Sequence, residues 1–393
     1  MPNEVQENEA GSRNIDLEHL DLLVRRYGRI ISAVAPVTAV ITALLLIGVL
    51  IFSLGKSPFE AYKALFVGAF GTLYDTATSL TRATPLILVG LGAAFAIRGS
   101  VFNIGGEGQI AIGGLAATLV GIYLPNLPGY IHLPLTLLAG FIGGGIWGAI
   151  PGYFYAKRGT NLIITTIMMN EIALGIVQMM VKGPIQEPPG NYPQSPQVLP
   201  TAVLPLIIPG TVLHAGFLLA ILFAIILYVV LFHSPLGYEV RAVGENAIAA
   251  RHAGINIFAT RVLLMVIAGG LAGLAGASEI LGSQLRLRPA FLPNYGYEAL
   301  AVAMLGQTNP LGVFIAGILF GALKAGAGSM QRATNLPMNL ITVVSGVIIL
   351  FVVLAKIMTR LPRYLAKRSA GGGSGDFLSR LLASKSLKGT PHA

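Results

Sequence analysis

The chain has 393 residues, 54% hydrophobic and only 11% charged, with a mean hydropathy of +0.75 and no cysteine. A soluble domain of this length carries about a quarter charged residues, so a soluble globular protein is excluded, and disulfides and Cys-ligated metal with it. The formal net charge of +10 fits Lys and Arg placed beside membrane spans better than a nucleic-acid surface.

In chain order, residues 1–29 are polar with six acids, so they read as a cytoplasmic extension and not as a signal peptide. Hydropathy predicts clear spans near 30–54, 133–156, 161–181, 212–232, 262–284 and 336–356. Less regular candidates lie at 84–98, 108–124 and 310–328, with a short apolar piece at 297–306. The fold class is therefore an all-α polytopic membrane protein of about ten transmembrane helices, eight at the fewest, some short or broken. Continuous apolar runs exclude a transmembrane β-barrel, whose strands alternate. Ten spans place both termini, Lys157-Arg158, the 233–261 loop and the basic tail 361–393 on the cytoplasmic side, as the positive-inside rule prefers. Residues 30–360 then form the permeating domain. Segment 57–80 is mildly amphipathic and is expected along the outer surface. The proline-rich stretch 182–211 reads as an extended outer loop, and Gly371–Gly375 as a flexible tail.

Glycine spacing predicts tight packing. Gly140, Gly144, Gly148 and Gly152 form one flat stripe, and Gly113, Ala117, Gly121 and Gly317, Gly321, Ala325 repeat the pattern. Each mid-helix glycine loses about 1 kcal/mol of propensity, which close helix approach offsets.

No catalytic constellation is present. The six histidines are scattered, and no metal or cofactor site is expected. Gly55-Lys56-Ser57 resembles the end of a phosphate-binding loop, but Leu50 occupies the place of its first glycine. If ATP drives this protein, another chain hydrolyses it. The polar break Asn103-Ile104-Gly105-Gly106-Glu107-Gly108-Gln109 interrupts apolar sequence on both sides. A carboxylate at mid-membrane depth costs roughly 2.5–3.5 kcal/mol, so such residues usually face a polar path or an aqueous boundary. Asn103, Glu107 and Gln109 are candidate pathway residues; Glu107 either touches solute or pins the glycine-rich bend. Asn170, Glu171 and Gln178 are further candidates, with an interhelical clasp as the structural alternative. Glu279 is expected in helix packing, and Lys324 near a span end, free to snorkel. In the 233–261 loop, Pro235 and Gly237 predict a turn and 245–253 a short helix ended by Gly254. A compact helix between two spans is something a peripheral motor protein could grip.

These motifs resemble a known family. Gly244-x-Asn246-x-x-Ala249-Ala250-x-x-x-Gly254-Ile255 is similar to the coupling-helix region of ABC importer permeases of the branched-chain amino acid, ribose and nucleoside group. Phe102–Gln109 looks like their glycine-acid motif, and Thr165-Thr166-Ile167-Met168-Met169-Asn170 resembles a segment of the nucleoside branch. That branch is expected to carry an aromatic where this chain has Glu171. The resemblance implies a permease for nucleosides or related sugars and purines, in a bacterial plasma membrane, working by alternating access. It implies ATP-binding subunits, a second permease and an extracytoplasmic solute-binding protein as partners, with Gly244, Glu245, Asn246, Ala249, Ala250 and Gly254 as the coupling contact. The alternative reading is a self-contained secondary transporter using Glu107 or Glu171 as proton carrier.

Overall fold

A computed structural model describes residues 38, 41, 42, 44–335 and 346–347. Most of the first part of the expected 30–54 span, most of the 336–356 span, the 1–29 extension and the 361–393 tail lie outside the described residues. Contacts divide the chain into Met1–Gly48 with Gly346–Ala393, and Val49–Ser345. Every residue of the site belongs to the latter.

The regular structure of the described residues is all helical, with a lone bridge between Leu206 and His214 and no strand among them. A short apolar helix α1 (Leu44–Ser53) precedes α2 (Pro58–Phe70), α3 (Leu73–Arg98), α4 (Gly106–Tyr123), α5 (Gly129–Arg158) and α6 (Leu162–Lys182). After the proline-rich loop come α7 (Gly216–His233), α8 (Pro235–Glu245), α9 (Ala247–His252), α10 (Ile257–Glu279), α11 (Tyr295–Leu305) and α12 (Pro310–Thr334). Six of these are long and apolar enough to cross a membrane: α3, α5, α6, α7, α10 with its extension to Gln284, and α12. The expectation of about ten spans is therefore not confirmed. Helix α4 opens with Glu107 and Gln109, and α11 has 11 residues, against the roughly 20 that a spanning helix needs.

Three boundaries differ from expectation, each for a local reason. Segment 57–80 is not one surface piece, and the 84–98 span is not short. Thr72 accepts a hydrogen bond from the Asp75 amide and donates one to its carboxylate, starting α3 at Leu73. Asp75 and Arg82 lower the local hydropathy and hide the first turns. Pro85 lies inside the helix without ending it, flanked by Thr81 and Thr84, whose hydroxyls bond the Ala77 and Leu80 carbonyls. Pro235 does not form a turn with Gly237; it occupies the first turn of α8, where its missing N–H costs nothing, and Ser234 caps that helix. Finally, α12 continues to Thr334, so Lys324 is interior to its helix and not at a span end.

Burial does not follow hydropathy. Helix α7 has mean hydropathy 2.7 and is 28% buried over its most apolar window, whereas α3 has 1.7 and is 83% buried. Lipid tails accept leucine and isoleucine as readily as a core does, so the central helices are chosen instead for small residues that pack backbone against backbone. The stripe of Gly140, Gly144, Gly148 and Gly152 faces α10, and a methyl on Gly144 would fall on the Gly269 carbonyl and the Gly273 Cα. Gly317 and Gly321 bring α12 equally close to Ile87 and Ala83 of α3.

Candidate functional site

The chain leaves α3 at Arg98, runs without helix from Val101 to Ile104 and re-enters helix at Gly106. Polar side chains inside this break satisfy one another. Asn103 Nδ2 donates to Gln109 Oε1 at 3.0 Å, and Asn103 Oδ1 accepts from the Gly105 amide at 2.8 Å. Asn170, fully buried near the middle of α6, accepts from the Gly108 amide at 2.9 Å and donates to the Ile104 carbonyl and the Tyr297 hydroxyl, each at 3.1 Å. Gly108 is required here, because an added methyl would sit 2.9 Å from the Asn170 Cα.

Glu107 reaches across to the start of α11. Its two carboxylate oxygens accept from the Asn294 and Gly296 amides, both at 2.8 Å. These are two donors that the helix start cannot satisfy by itself. Asn294 adopts a left-handed φ of +68°, which asparagine tolerates better than most residues. The void beside Glu107, bounded by Ile110, Leu174, Val177 and Phe291, is about 10 Å³, room for about one water.

On the other side of Asn294 the chain is open. A cleft of about 400 Å³ lies between α3, α11 and α12, lined by Tyr74, Asp75, Arg82, Asn294, Lys324 and Arg332 among others, with Glu298 at its inner wall. Lys324 Nζ is 2.9 Å from Glu298 Oε2 and 4.0 Å from the centre of the Tyr295 ring. Both charged side chains are largely covered, at 17% and 11% exposure, whereas Arg82 is exposed.

The short helix α9 lies toward the far end of α3. Asn246 caps it, accepting from the Ile248 and Ala249 amides at 3.0 and 3.1 Å, and Gly254 leaves it with a φ of +82°. Glu245, Asn246, Ile248 and Ala249 are exposed, while Ala250 is buried. The end of α8 presses on the end of α3. A methyl on Gly244 would collide with the Arg98 carbonyl, and Ser100 Oγ donates to the Gly244 carbonyl at 2.8 Å. Arg98 Nε donates to the Thr308 carbonyl at 3.1 Å, and the Arg98 and Arg241 guanidiniums stand 5.8 and 5.9 Å from the Phe232 ring centre. Arg82 and Arg98 are sixteen residues apart on α3 (98 − 82), about 24 Å at 1.5 Å per residue.

In the proline-rich loop, Glu187 pairs with Arg286 and accepts from Gln194 Nε2 at 2.8 Å. The Arg286 guanidinium, helped by Gln194, holds the Glu187 carboxyl below its usual range.

The family described as "Branched-chain amino acid transport system / permease component" matches residues 76–353. The chain belongs to this permease family. A glucose ABC transporter permease protein of Haloferax volcanii is 36% identical over 335 residues, covering 83% of this chain and 88% of that one. A guanosine ABC transporter permease protein of Bacillus subtilis is 37% identical over 329 residues, covering 82% and 94%. A nucleoside ABC transporter permease protein of Lactococcus lactis is 31% identical over 326 residues, covering 81% and 89%. No solved structure matches. The permease is the multi-pass membrane subunit of an ABC importer.

Within the permease, Asn103 and Gln109 bond each other at the break, Asn170 holds the break's backbone at Ile104 and Gly108, and Glu107 turns away to Asn294 and Gly296, all four being buried. Glu171 and Gln178 share an exposed face of α6 and do not join them. Gly244, Glu245, Asn246, Ala249, Ala250 and Gly254 gather around α9. Sequence reasoning missed Arg82, Asn294 and Glu298, and set Lys324 aside. The signal was available: opposite charges stand in 297–306 and 310–328, two apolar pieces joined by a tight loop, and such charges pair or line a path.

Proposed function

We propose that the permease passes nucleosides or related purines and sugars across a bacterial plasma membrane by alternating access, paired with a second permease subunit. ATP-binding subunits dock on α9, and an extracytoplasmic solute-binding protein delivers solute to the opposite face. Both termini lie in the cytoplasm, and residues 30–360 form the membrane domain between a polar extension and a basic tail. The observation that carries the substrate class is the likeness, over nearly their whole lengths, to permeases named for guanosine, nucleosides and glucose. These solutes share uncharged rings and adjacent hydroxyls.

The exposed side of α9 suits a docking contact, and its attachment suits force transmission. A push on Glu245, Asn246 and Ala249 moves Gly244, which bears on Arg98 and Ser100. The seven residues from Gly99 to Gly105 carry that displacement to Glu107, and Glu107 carries it to α11. Asn103, Gln109 and Asn170 hold the joint together and gate the path beside it. Glu171 and Gln178, polar groups on an uncovered helix face, meet the second permease or the passage between the pair.

Alanine substitutions across Glu245–Gly254 test this reading in whole cells. ATP-dependent uptake of labelled guanosine or glucose should disappear while membrane insertion is unchanged. Retained uptake would sink the coupling assignment. Uptake by this chain alone in vesicles, collapsed by a protonophore, would replace it with proton-coupled transport.

A further inference from the structure

We propose that the charged cleft between α3, α11 and α12 is a solute site belonging to the permease itself, shaped for an uncharged solute that carries two adjacent hydroxyls. The inference rests on the transport reading above and adds the place and chemistry of recognition.

Three charges meet here: Arg82 and Lys324 stand well inside α3 and α12, and Glu298 lies in the first turn of the short helix α11. Ionisable groups in membrane helices face each other, water or a solute path, because lipid contact is costly. Lys324 and Glu298 face each other at 2.9 Å. Arg82 remains exposed, so the cleft it faces is wet. The volume of about 400 Å³ falls within the ~300–1,000 Å³ of ordinary small-molecule sites.

The lining decides the class of solute. The lining sets Asp75 and Glu298 against Arg82, Lys324 and Arg332, a single positive charge in excess, and the covered Lys324–Glu298 pair itself presents no net charge. Lys324 keeps two further N–H donors, and Glu298 keeps lone pairs for more than one donor. A hydroxyl both donates and accepts, so two adjacent hydroxyls can bridge the ammonium and the carboxylate without leaving either unpaired. Tyr74 at the rim and Asn294 beside the pair supply a ring face and an amide for the rest of the solute. A purely structural ion pair needs none of this open volume, and burying such a pair stabilises little by itself.

The cleft also gives Glu107 a defined part. Its carboxylate holds the Asn294 amide on one side of the backbone, while Asn294 lines the cleft on the other. Glu107 is thus a positioning residue for the cleft wall, and the Gly99–Gly105 segment links that wall to α9.

Because the chain has no native cysteine, single cysteines report on the cleft without background. Thr78→Cys and Ser329→Cys line it, and Tyr130→Cys, exposed at the start of α5, is the control. Each variant is assembled with its ATP-binding subunits and second permease in proteoliposomes, without solute-binding protein, and treated with a charged, membrane-impermeant thiol reagent. Both cleft cysteines should react, and guanosine or glucose at about ten times its Kd should slow the reaction about ten-fold, as occupancy of the cleft requires. The Tyr130→Cys control should react without responding to solute. A guanosine analogue lacking the 2′ and 3′ hydroxyls should not protect, and Glu298→Gln added to either cleft variant should abolish protection by guanosine. Protection by the dideoxy analogue equal to that by guanosine would overturn the hydroxyl assignment. Labelling indifferent to both solutes, as for a cleft filled by a lipid headgroup, would overturn the site. ATP-driven uptake, measured on the same preparations with solute-binding protein restored, keeps the two readings apart. Intact uptake without protection sinks the cleft alone, and absent uptake in the cysteine-free chain sinks the transport reading.

Discussion

Replacing Glu107 with glutamine leaves the side chain's shape intact and removes its charge. The wild-type carboxylate accepts two amide hydrogens at 2.8 Å and is only 8% exposed. Hydrogen bonds to a charged group contribute roughly 1.5–3 kcal/mol each, against about 1 for a neutral pair. Glutamine can accept from one of the two amides but must turn its own NH₂ donor toward the other. The expected loss is about 3 kcal/mol, one good bond weakened and one donor left facing a donor. Trp147, the only tryptophan, packs against the apolar cluster of Leu115, Val177 and Leu281 beside the break, so its emission follows unfolding there. The Glu107→Gln protein in detergent should unfold at a lower temperature, by on the order of 5 °C, and guanosine uptake should fall in parallel. An unchanged midpoint with uptake abolished would refute the positioning argument and put Glu107 on the solute.

Two further substitutions probe other links. Gly144→Val sets a branched side chain against the Gly269 carbonyl and Gly273 Cα; it should separate α5 from α10 at a cost of roughly 1–3 kcal/mol or more, seen as a lower melting temperature of the purified permease, whereas Gly175→Val, at a position with open space, should leave it unchanged. The Glu187–Arg286 pair should loosen in acid. Since Glu187 is held below its usual range, its contribution is present above the ordinary carboxylate pKa and is lost as pH falls through the lowered value. Hydrogen exchange of 182–194 should therefore rise at acid pH in the wild type and be raised already at neutral pH in Glu187→Ala; exchange that ignores both pH and the substitution would remove any holding role from the pair.

Much of the architecture was legible because bilayers impose simple requirements. Continuous apolar runs marked α5, α6, α7 and α10, and the family was readable from Phe102–Gln109 and the 244–255 pattern. Residues whose partners are distant in sequence were less legible. Asp75 and Arg82 made the start of α3 look like a surface segment, because hydropathy averages neighbours along the chain and cannot see a polar cleft across it. Lys324 looked like a snorkelling terminus because nothing local showed that α12 continues to Thr334. Asn170 and Glu171 are adjacent and similar in polarity, yet one is fully buried and the other exposed. One residue is a 100° turn on a helix, and the side that faces protein is set by α4, which the sequence of α6 does not contain.

The junction at Glu107 joins two helix beginnings, since α4 and α11 both start there, with Gly296 packed on the Glu107 backbone. Aligned peptide dipoles give each helix start roughly half a positive charge, and such ends are natural seats for phosphate or carboxylate. Two of them meeting inside a membrane protein would make a trap for passing anions. The chain supplies the anion from within, so the seat is already taken and the paired positive ends offer a phosphorylated solute no foothold.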